Sequence, residues 1–220
     1  MPSIEPLTYL ERAPGREPDG MLVLHHGRGT DERDLLGLAD ALDPQRRLHV
    51  VTPRAPLVLP GSPGYHWYLV PRVGYPDPDT FHAARAALAD LHDRLWSETG
   101  LDPARTVLGG FSMGAVMSYA MALGADRLPV AGILAFSGFV PVVEGWSPHL
   151  GDRQECRAFI AHGRADPVIE VGFGHRARDL LEAGGLEVEY RESGLGHQID
   201  PMHLPAAVEW LEAAVPSRPD

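Results

Sequence analysis

Residues 106–123 read TVLGGFSMGAVMSYAMAL. The strand-like Thr106–Gly109 meets a helical run from Ser112 to Leu123, and Gly110-Phe111-Ser112-Met113-Gly114 sits at the join. A GxSxG string alone carries little weight, because small residues fall together by chance. Between a strand and an apolar helix it carries much more. A sharp strand-to-helix turn strains the serine backbone and lifts its hydroxyl above the sheet edge. Glycines at 110 and 114 keep side chains out of that turn. The helix starting there points free N–H groups and its positive dipole end at negative charge developing near Ser112. The bland alternative is a serine that merely caps a helix after a glycine-rich turn.

Working outward, strand-like and helix-like segments alternate. Leu7–Leu10 alternates apolar and polar and reads as a short first strand, and Met21–His25 reads as a buried one. Asp34–Leu42, capped by Thr30 or Asp31, is expected as a helix with Leu35, Leu38 and Leu42 on one face. Leu48–Thr52 is the next strand, stopped by Pro53. A long helix starts at Asp79 or Thr80 and runs through Thr99 to Gly100. Val130–Phe136, Phe159–His162 and Leu186–Glu192 are further strands. Helices are expected near Val168–Ala183 and Pro201–Ala214, the last with Asp200 as cap and Pro201 at its first position. This alternation predicts an α/β fold, a mostly parallel twisted sheet with helices on both faces, as one domain over residues 1–220.

A serine hydroxyl is a weak nucleophile and needs a base. His197 lies in Ser193-Gly194-Leu195-Gly196-His197, a glycine-rich loop between the strand ending at Glu192 and the final helix, where it can project over the sheet edge. The base needs an acid to fix its tautomer. Asp166 follows the strand Phe159–His162 in His162-Gly163-Arg164-Ala165-Asp166-Pro167. Glu170 and Asp200 are rivals, but Asp200 is close to His197 in sequence and better used as a helix cap. The order Ser112, Asp166, His197 is that of α/β-hydrolases, and differs from the chymotrypsin-like and subtilisin-like orders. An oxyanion hole needs two backbone N–H groups. Met113, directly after the nucleophile, supplies one. The other is expected from the loop His26-Gly27-Arg28-Gly29, through the amide of Arg28. His25 and His26 end a buried strand and read as structural.

Composition removes other chemistries. All 19 basic residues are arginine, so no pyridoxal Schiff base, P-loop lysine or Ser-Lys dyad is available. The net charge of -11 argues against nucleic acid and anionic membrane surfaces. No run of roughly eighteen apolar residues exists to span a membrane. The N-terminal segment has no basic-then-apolar pattern of a secretory signal. The single cysteine, Cys156, opens an apolar run and reads as a buried hydrophobe, which suits a reducing cytoplasm. His197, Asp200 and His203 lie close in sequence, but without an HExxH pair or a cysteine set no metal is expected.

The stretches HHGRGTDERDLLGLADAL, GGFSMGAVMSYAMAL, ILAFSGFVP, HGRADPVI and GLGHQI resemble the small phospholipase/carboxylesterase family, which includes bacterial carboxylesterases and acyl-protein thioesterases. The resemblance runs from about Met21 to Leu211. It implies an α/β-hydrolase fold without a large cap domain, acting on carboxylic esters or thioesters with no cofactor. The family's nucleophile, acid and base fall on Ser112, Asp166 and His197, and its oxyanion amides on Arg28 and Met113. Acyl-protein thioesterases usually carry glutamine where this chain has Met113, a difference that a backbone donor tolerates.

The partner expected is a small-molecule ester of short or medium chain length, with lysophospholipase or thioesterase action on long acyl chains as the alternative. A slow-turnover ligand sensor is the reading from another class, and a homodimer is left open. Residues 53–80 are rich in proline, glycine and aromatics, and an ordered loop of this length is usually functional. Tyr65, Trp67 and Tyr68 are expected there as a pocket wall, with a surface loop plugging a satellite cluster as the alternative.

Overall fold

Strands that are apolar at every position are stable only when both faces are covered. Gly20–His25, apolar up to its last residue, and Gly132–Phe136 are of this kind and are buried throughout. In the computed structural model, which describes residues 6–218, they belong to one seven-stranded sheet. Its strands are β1 (Tyr9–Arg12), β2 (Gly20–His25), β3 (Leu48–Pro53), β6 (Thr106–Phe111), β7 (Gly132–Phe136), β8 (Arg157–Gly163) and β9 (Val188–Ser193). The order across the sheet is β1-β3-β2-β6-β7-β8-β9, and every pairing is parallel except that of β1 with β3. A hairpin of β4 (Leu57–Val58) and β5 (Tyr65–His66) lies apart from it.

The period-two alternation divides the core. Met21, Val23, Ile133, Ala135, Ala158 and Ile160 face one cluster, shared with α2 (Pro78–Thr99), α3 (Met113–Ala122) and α4 (Val171–Ala183). Leu22, Leu24, Leu134, Phe136 and Phe159 face the other, shared with α1 (Leu36–Leu42) and α5 (Leu204–Ala214). Helix α3 is buried at all its positions, which explains why it is apolar on every side.

Several expected boundaries shift for local reasons. The first strand is Tyr9–Arg12, not Leu7–Leu10, since its register is set by antiparallel pairing with β3. Thr30 and Asp31 do not cap a helix. The loop uses both, and α1 starts only at Leu36 without a side-chain cap. Helix α2 begins earlier than Asp79 or Thr80: Asp77 accepts from Thr80 N–H at 3.0 Å and Pro78 takes the first position. Helix α4 starts at Val171, because the amides of Val168 and Ile169 point to Asp166. Asp200 caps a short 3₁₀ turn, Pro201–His203, that leads into α5.

The strand order turns around between β2 and β6. From β2 the chain adds β3 on one side, while β6 opens the other half. Crevices in open parallel sheets form at such a switch point, beyond the carboxyl ends of the strands. The loop after β2 and the turn after β6 therefore face each other across one cleft.

Candidate active site

The turn after β6 is strained as its sequence predicts. Ser112 has φ 55° and ψ −120°, a conformation that side-chain-bearing residues rarely adopt. The turn is possible because nothing projects from its neighbours. A Cβ on Gly114 would lie 1.9 Å from the His25 carbonyl oxygen, and one on Gly110 2.6 Å from the same atom. Ser112 N–H donates to Phe136 O at 2.9 Å, which anchors the turn to β7.

Three side chains from three loops converge here. His197 Nε2 is 2.8 Å from Ser112 Oγ, and His197 Nδ1 is 2.7 Å from Asp166 Oδ2. The other carboxylate oxygen, Oδ1, accepts from Val168 N–H at 2.8 Å and Ile169 N–H at 2.9 Å. Burial by itself would raise the Asp166 carboxyl, but the hydrogen bonds from His197 and these two amides outweigh it and hold the pKa below its ordinary value. Phe111 lies against the imidazole, with ring centroids 4.9 Å apart. The rival acids are elsewhere: Asp200 accepts from Met202 N–H at 2.9 Å, and Glu170 is exposed at the head of α4. Among the described residues no group of three or more His, Cys, Asp or Glu side chains could hold a metal ion.

The loop after β2 is built from the histidines before it. His26 Nε2 accepts from Ala55 N–H at 3.0 Å, so the proton sits on Nδ1, which donates to Gly27 O at 2.7 Å. Burial holds the His26 pKa below its ordinary value, in keeping with this neutral tautomer. His25 Nδ1 lies 2.9 Å from the hydroxyl of Ser118 on α3. Gly29 N–H donates to Tyr65 O at 2.8 Å, and Tyr65 N–H to Thr30 O at 2.8 Å. Among the described residues the backbone N–H groups of Arg28 and Met113 meet no acceptor in these ladders, and both residues line the cavity that holds Ser112.

That cavity has a volume of about 750 Å³. Apolar Tyr68, Val73, Phe139 and Ile169 line it together with polar Thr30, Asp34 and Gln198. The expected aromatic wall needs correction. Tyr68 is in the lining, but Tyr65 and Trp67 are not. Trp67 is fully buried; its Nε1–H donates to His26 O at 2.9 Å, and its backbone N–H lies 3.2 Å from Met113 Sδ. Tyr65 stacks under Arg54, 4.7 Å from ring centroid to guanidinium, and Arg54 pairs with buried Glu32. Proline-held aromatics suit a wall or a buttress equally, so the sequence alone did not separate the two. Two further contributors carry little signal in the sequence. His162, in contact with Asp166, is signalled only by its i,i+4 spacing. Glu32 has no local signal, because its partner Arg54 comes from the next strand's end.

A strand-turn-helix elbow with Ser112 at its tip, on a parallel sheet, defines a serine hydrolase of the α/β-hydrolase class. The chain belongs to the Phospholipase/Carboxylesterase family, whose model matches residues 12–215. It is similar to the acyl-protein thioesterase 1 of Debaryomyces hansenii, 28% identical over 176 residues, which are 75% of this chain and 75% of that one. The carboxylesterase of Bacillus cereus superposes with a TM-score of 0.83 at 23% identity, covering 94% of both chains. Esterase PE8 gives a TM-score of 0.78 at 28% identity, over 95% of this chain and 99% of that one. Among the described residues no helix is long and apolar enough to cross a membrane.

Proposed function

We propose that this chain hydrolyses carboxylic esters of short or medium chain length through an acyl-enzyme. Ser112 Oγ attacks the carbonyl carbon while its proton passes to His197 Nε2. Asp166 keeps the imidazole in the required tautomer and stabilises the imidazolium. The amides of Arg28 and Met113 receive the oxyanion. His197 then protonates the leaving oxygen, and water, activated by the same histidine, releases the acid. The observation that carries this reading is the continuous chain from Ser112 Oγ through both nitrogens of His197 to Asp166, at 2.8 and 2.7 Å.

The reading takes residues 1–220 as one domain, supported by two hydrophobic clusters on opposite faces of one sheet. It places the protein in the cytoplasm, supported by a lone cysteine, Cys156, whose thiol burial pushes up to about 12. A second reading, hydrolysis of thioesters or long acyl esters, is favoured by Val70 and Val168, exposed apolar residues in the cavity lining.

The experiment is a chain-length series of 4-nitrophenyl esters and acyl thioesters with wild type and Ser112→Ala. Ser112→Ala is expected to lower kcat by roughly three orders of magnitude or more with folding unchanged. A fluorophosphonate probe is expected to label Ser112 alone. Labelling elsewhere, or undiminished turnover in the variant, removes the assignment. Rapid multiple turnover separates an enzyme from a slow ligand sensor.

A further inference from the structure

The cavity beside Ser112 carries an unbalanced charge. Apart from His197 and the buried, neutral Tyr68, its ionisable lining residues are Arg28, Arg72 and Asp34. The chain holds 30 acidic residues against 19 basic ones, so an arginine without a carboxylate runs against its composition. Most arginines are matched, among them Arg12 with Asp43, Arg47 with Asp19 at 3.1 Å and Arg54 with Glu32 at 2.6 Å. Of the five that form no such pair among the described residues (Arg28, Arg72, Arg94, Arg105 and Arg176), only Arg28 and Arg72 line this cavity. Among the described residues neither Arg28 nor Arg72 forms an ion pair with a carboxylate. The Asp34 carboxylate is already engaged, accepting from the Thr30 hydroxyl at 3.1 Å.

Both arginines sit on fixed backbone. Arg72 opens a tight turn in which Tyr75 N–H donates to its carbonyl at 3.0 Å, and its guanidinium lies 3.6 Å from the centroid of the Tyr75 ring. Gly74 within that turn is held by Val142 N–H, which donates to its carbonyl at 3.2 Å. Stacking fixes the plane of a guanidinium and leaves its outer N–H edge free for a planar anion. Arg28 lies in the loop pinned to Tyr65 by the two hydrogen bonds given above. Burial first, and then the nearby Arg28 charge, hold His66 below its ordinary pKa. Two cations lining one cleft, Arg72 held by its stack on Tyr75, focus field on it and present forked donors suited to carboxylate or phosphate.

Resting on the ester-hydrolase reading, we infer that the substrate is an ester bearing an anionic group, carboxylate or phosphate, away from the scissile bond, and that Arg28 and Arg72 bind this group. Val73, Phe139 and Ile169 then hold the carbon chain between the anion and the reacting carbonyl.

Two sets of matched esters test this on the whole chain. In the first, a 4-nitrophenyl ester has either a glutarate or a methyl glutarate acyl part. In the second, the leaving phenol of a butyrate carries a meta carboxymethyl group, its methyl ester, or a meta phosphonomethyl group. The charged member is expected to be preferred by about tenfold or more in kcat/KM in at least one set, the scale of a charge-assisted hydrogen bond. Arg28→Met and Arg72→Met are each expected to cut that preference by about fivefold or more on the same scale. Both side chains are exposed, so the variants keep the fold. The carboxylate and phosphonate members show which oxyanion the site takes. Neutral esters equal to or better than charged ones in both sets overturn the inference, as does a charge preference that survives both substitutions. If Ser112 still takes the fluorophosphonate and neutral esters are still turned over, the hydrolase reading stands without it. If neither happens, both fall.

Discussion

Asp166 is held from several sides, and His162 is the contributor that completes the enclosure. His162 is buried, with Nε2 at 2.7 Å from Ile169 O and 3.5 Å from Asp166 Oδ2. A carbonyl oxygen only accepts, so Nε2 carries the proton and ties the 166–169 turn back to β8. Burial holds the His162 pKa below its ordinary value, which keeps a second cation away from Asp166. On the proposed mechanism, His162 is a positioning residue that acts through Asp166. His162→Leu is expected to lower kcat by roughly tenfold to a hundredfold with little change in KM, the scale of a small misplacement of the reacting groups. His162→Gln, which offers a donor at a similar reach, is expected to recover most of the loss. Steady-state kinetics on a neutral ester checks this. A leucine variant with wild-type kcat and pH profile would show that the turn holds without the histidine.

At the scale of elements, residues 53–80 both wall the cavity, through Tyr68, Val70, Arg72 and Val73, and brace the loop after β2. The hairpin of β4 and β5 delivers Tyr65 to Gly29 and Thr30, while Trp67 reaches the carbonyl of His26. The indole lies 5.4 Å from the His26 ring and 5.5 Å from that of His25, so one side chain braces both ends of the bend. Trp67→Phe keeps a ring but leaves the His26 carbonyl without its donor. It is expected to cost about 1–3 kcal/mol of stability, as for a buried acceptor losing its partner. It is also expected to lower kcat through the amide of Arg28 while leaving acyl chain-length preference unaltered. Urea unfolding and the ester series read the two effects separately. A shifted chain-length optimum would return Trp67 to the pocket.

For the whole molecule, the buried imidazoles set an acid limit. His92 on α2 is fully buried between His25 and Trp96, with centroids 5.7 and 5.8 Å away, and neither nitrogen has a partner among the described residues. Burial, with the Arg127 charge second, pushes its pKa down to about 3, and burial holds His25 well below the ordinary value too. The sign follows from where the proton binds. Between about pH 6.5 and 3 the unfolded chain takes up a proton that the folded chain refuses. Stability is therefore complete above about pH 6.5 and falls as the pH drops, by roughly 1 kcal/mol per pH unit for each such histidine. His92→Leu is expected to raise stability at pH 7 by about 1–2 kcal/mol, by removing an unpartnered polar group, and by more at pH 5. Urea midpoints from pH 7 to 4 test this, and parallel curves for the two proteins would contradict it.

The sequence by itself determined what depends on local pattern. The alternation of apolar strands and helices implied the α/β sheet, because both faces of a parallel sheet must be covered. The GxSxG turn located Ser112, because few residues fit that geometry. The glycine-flanked His197 and the post-strand Asp166 were legible for the same reason, as loops at one end of parallel strands. Tertiary structure alone decided the rest. Helix α2 starts at Pro78, before Asp79 or Thr80, because Asp77 caps it and Pro78 takes its first position. The start of α4 moved because two of its expected amides went to Asp166. Trp67 became a buttress, Glu32 met Arg54, and His162 met Asp166 through contacts between loops from different strands. Arg28 and Arg72 were left unmatched at one cavity although the chain has acid to spare. Such pairings depend on which strand ends are neighbours, and the order β2-β6 at the switch point is a property of the folded sheet that no local stretch encodes.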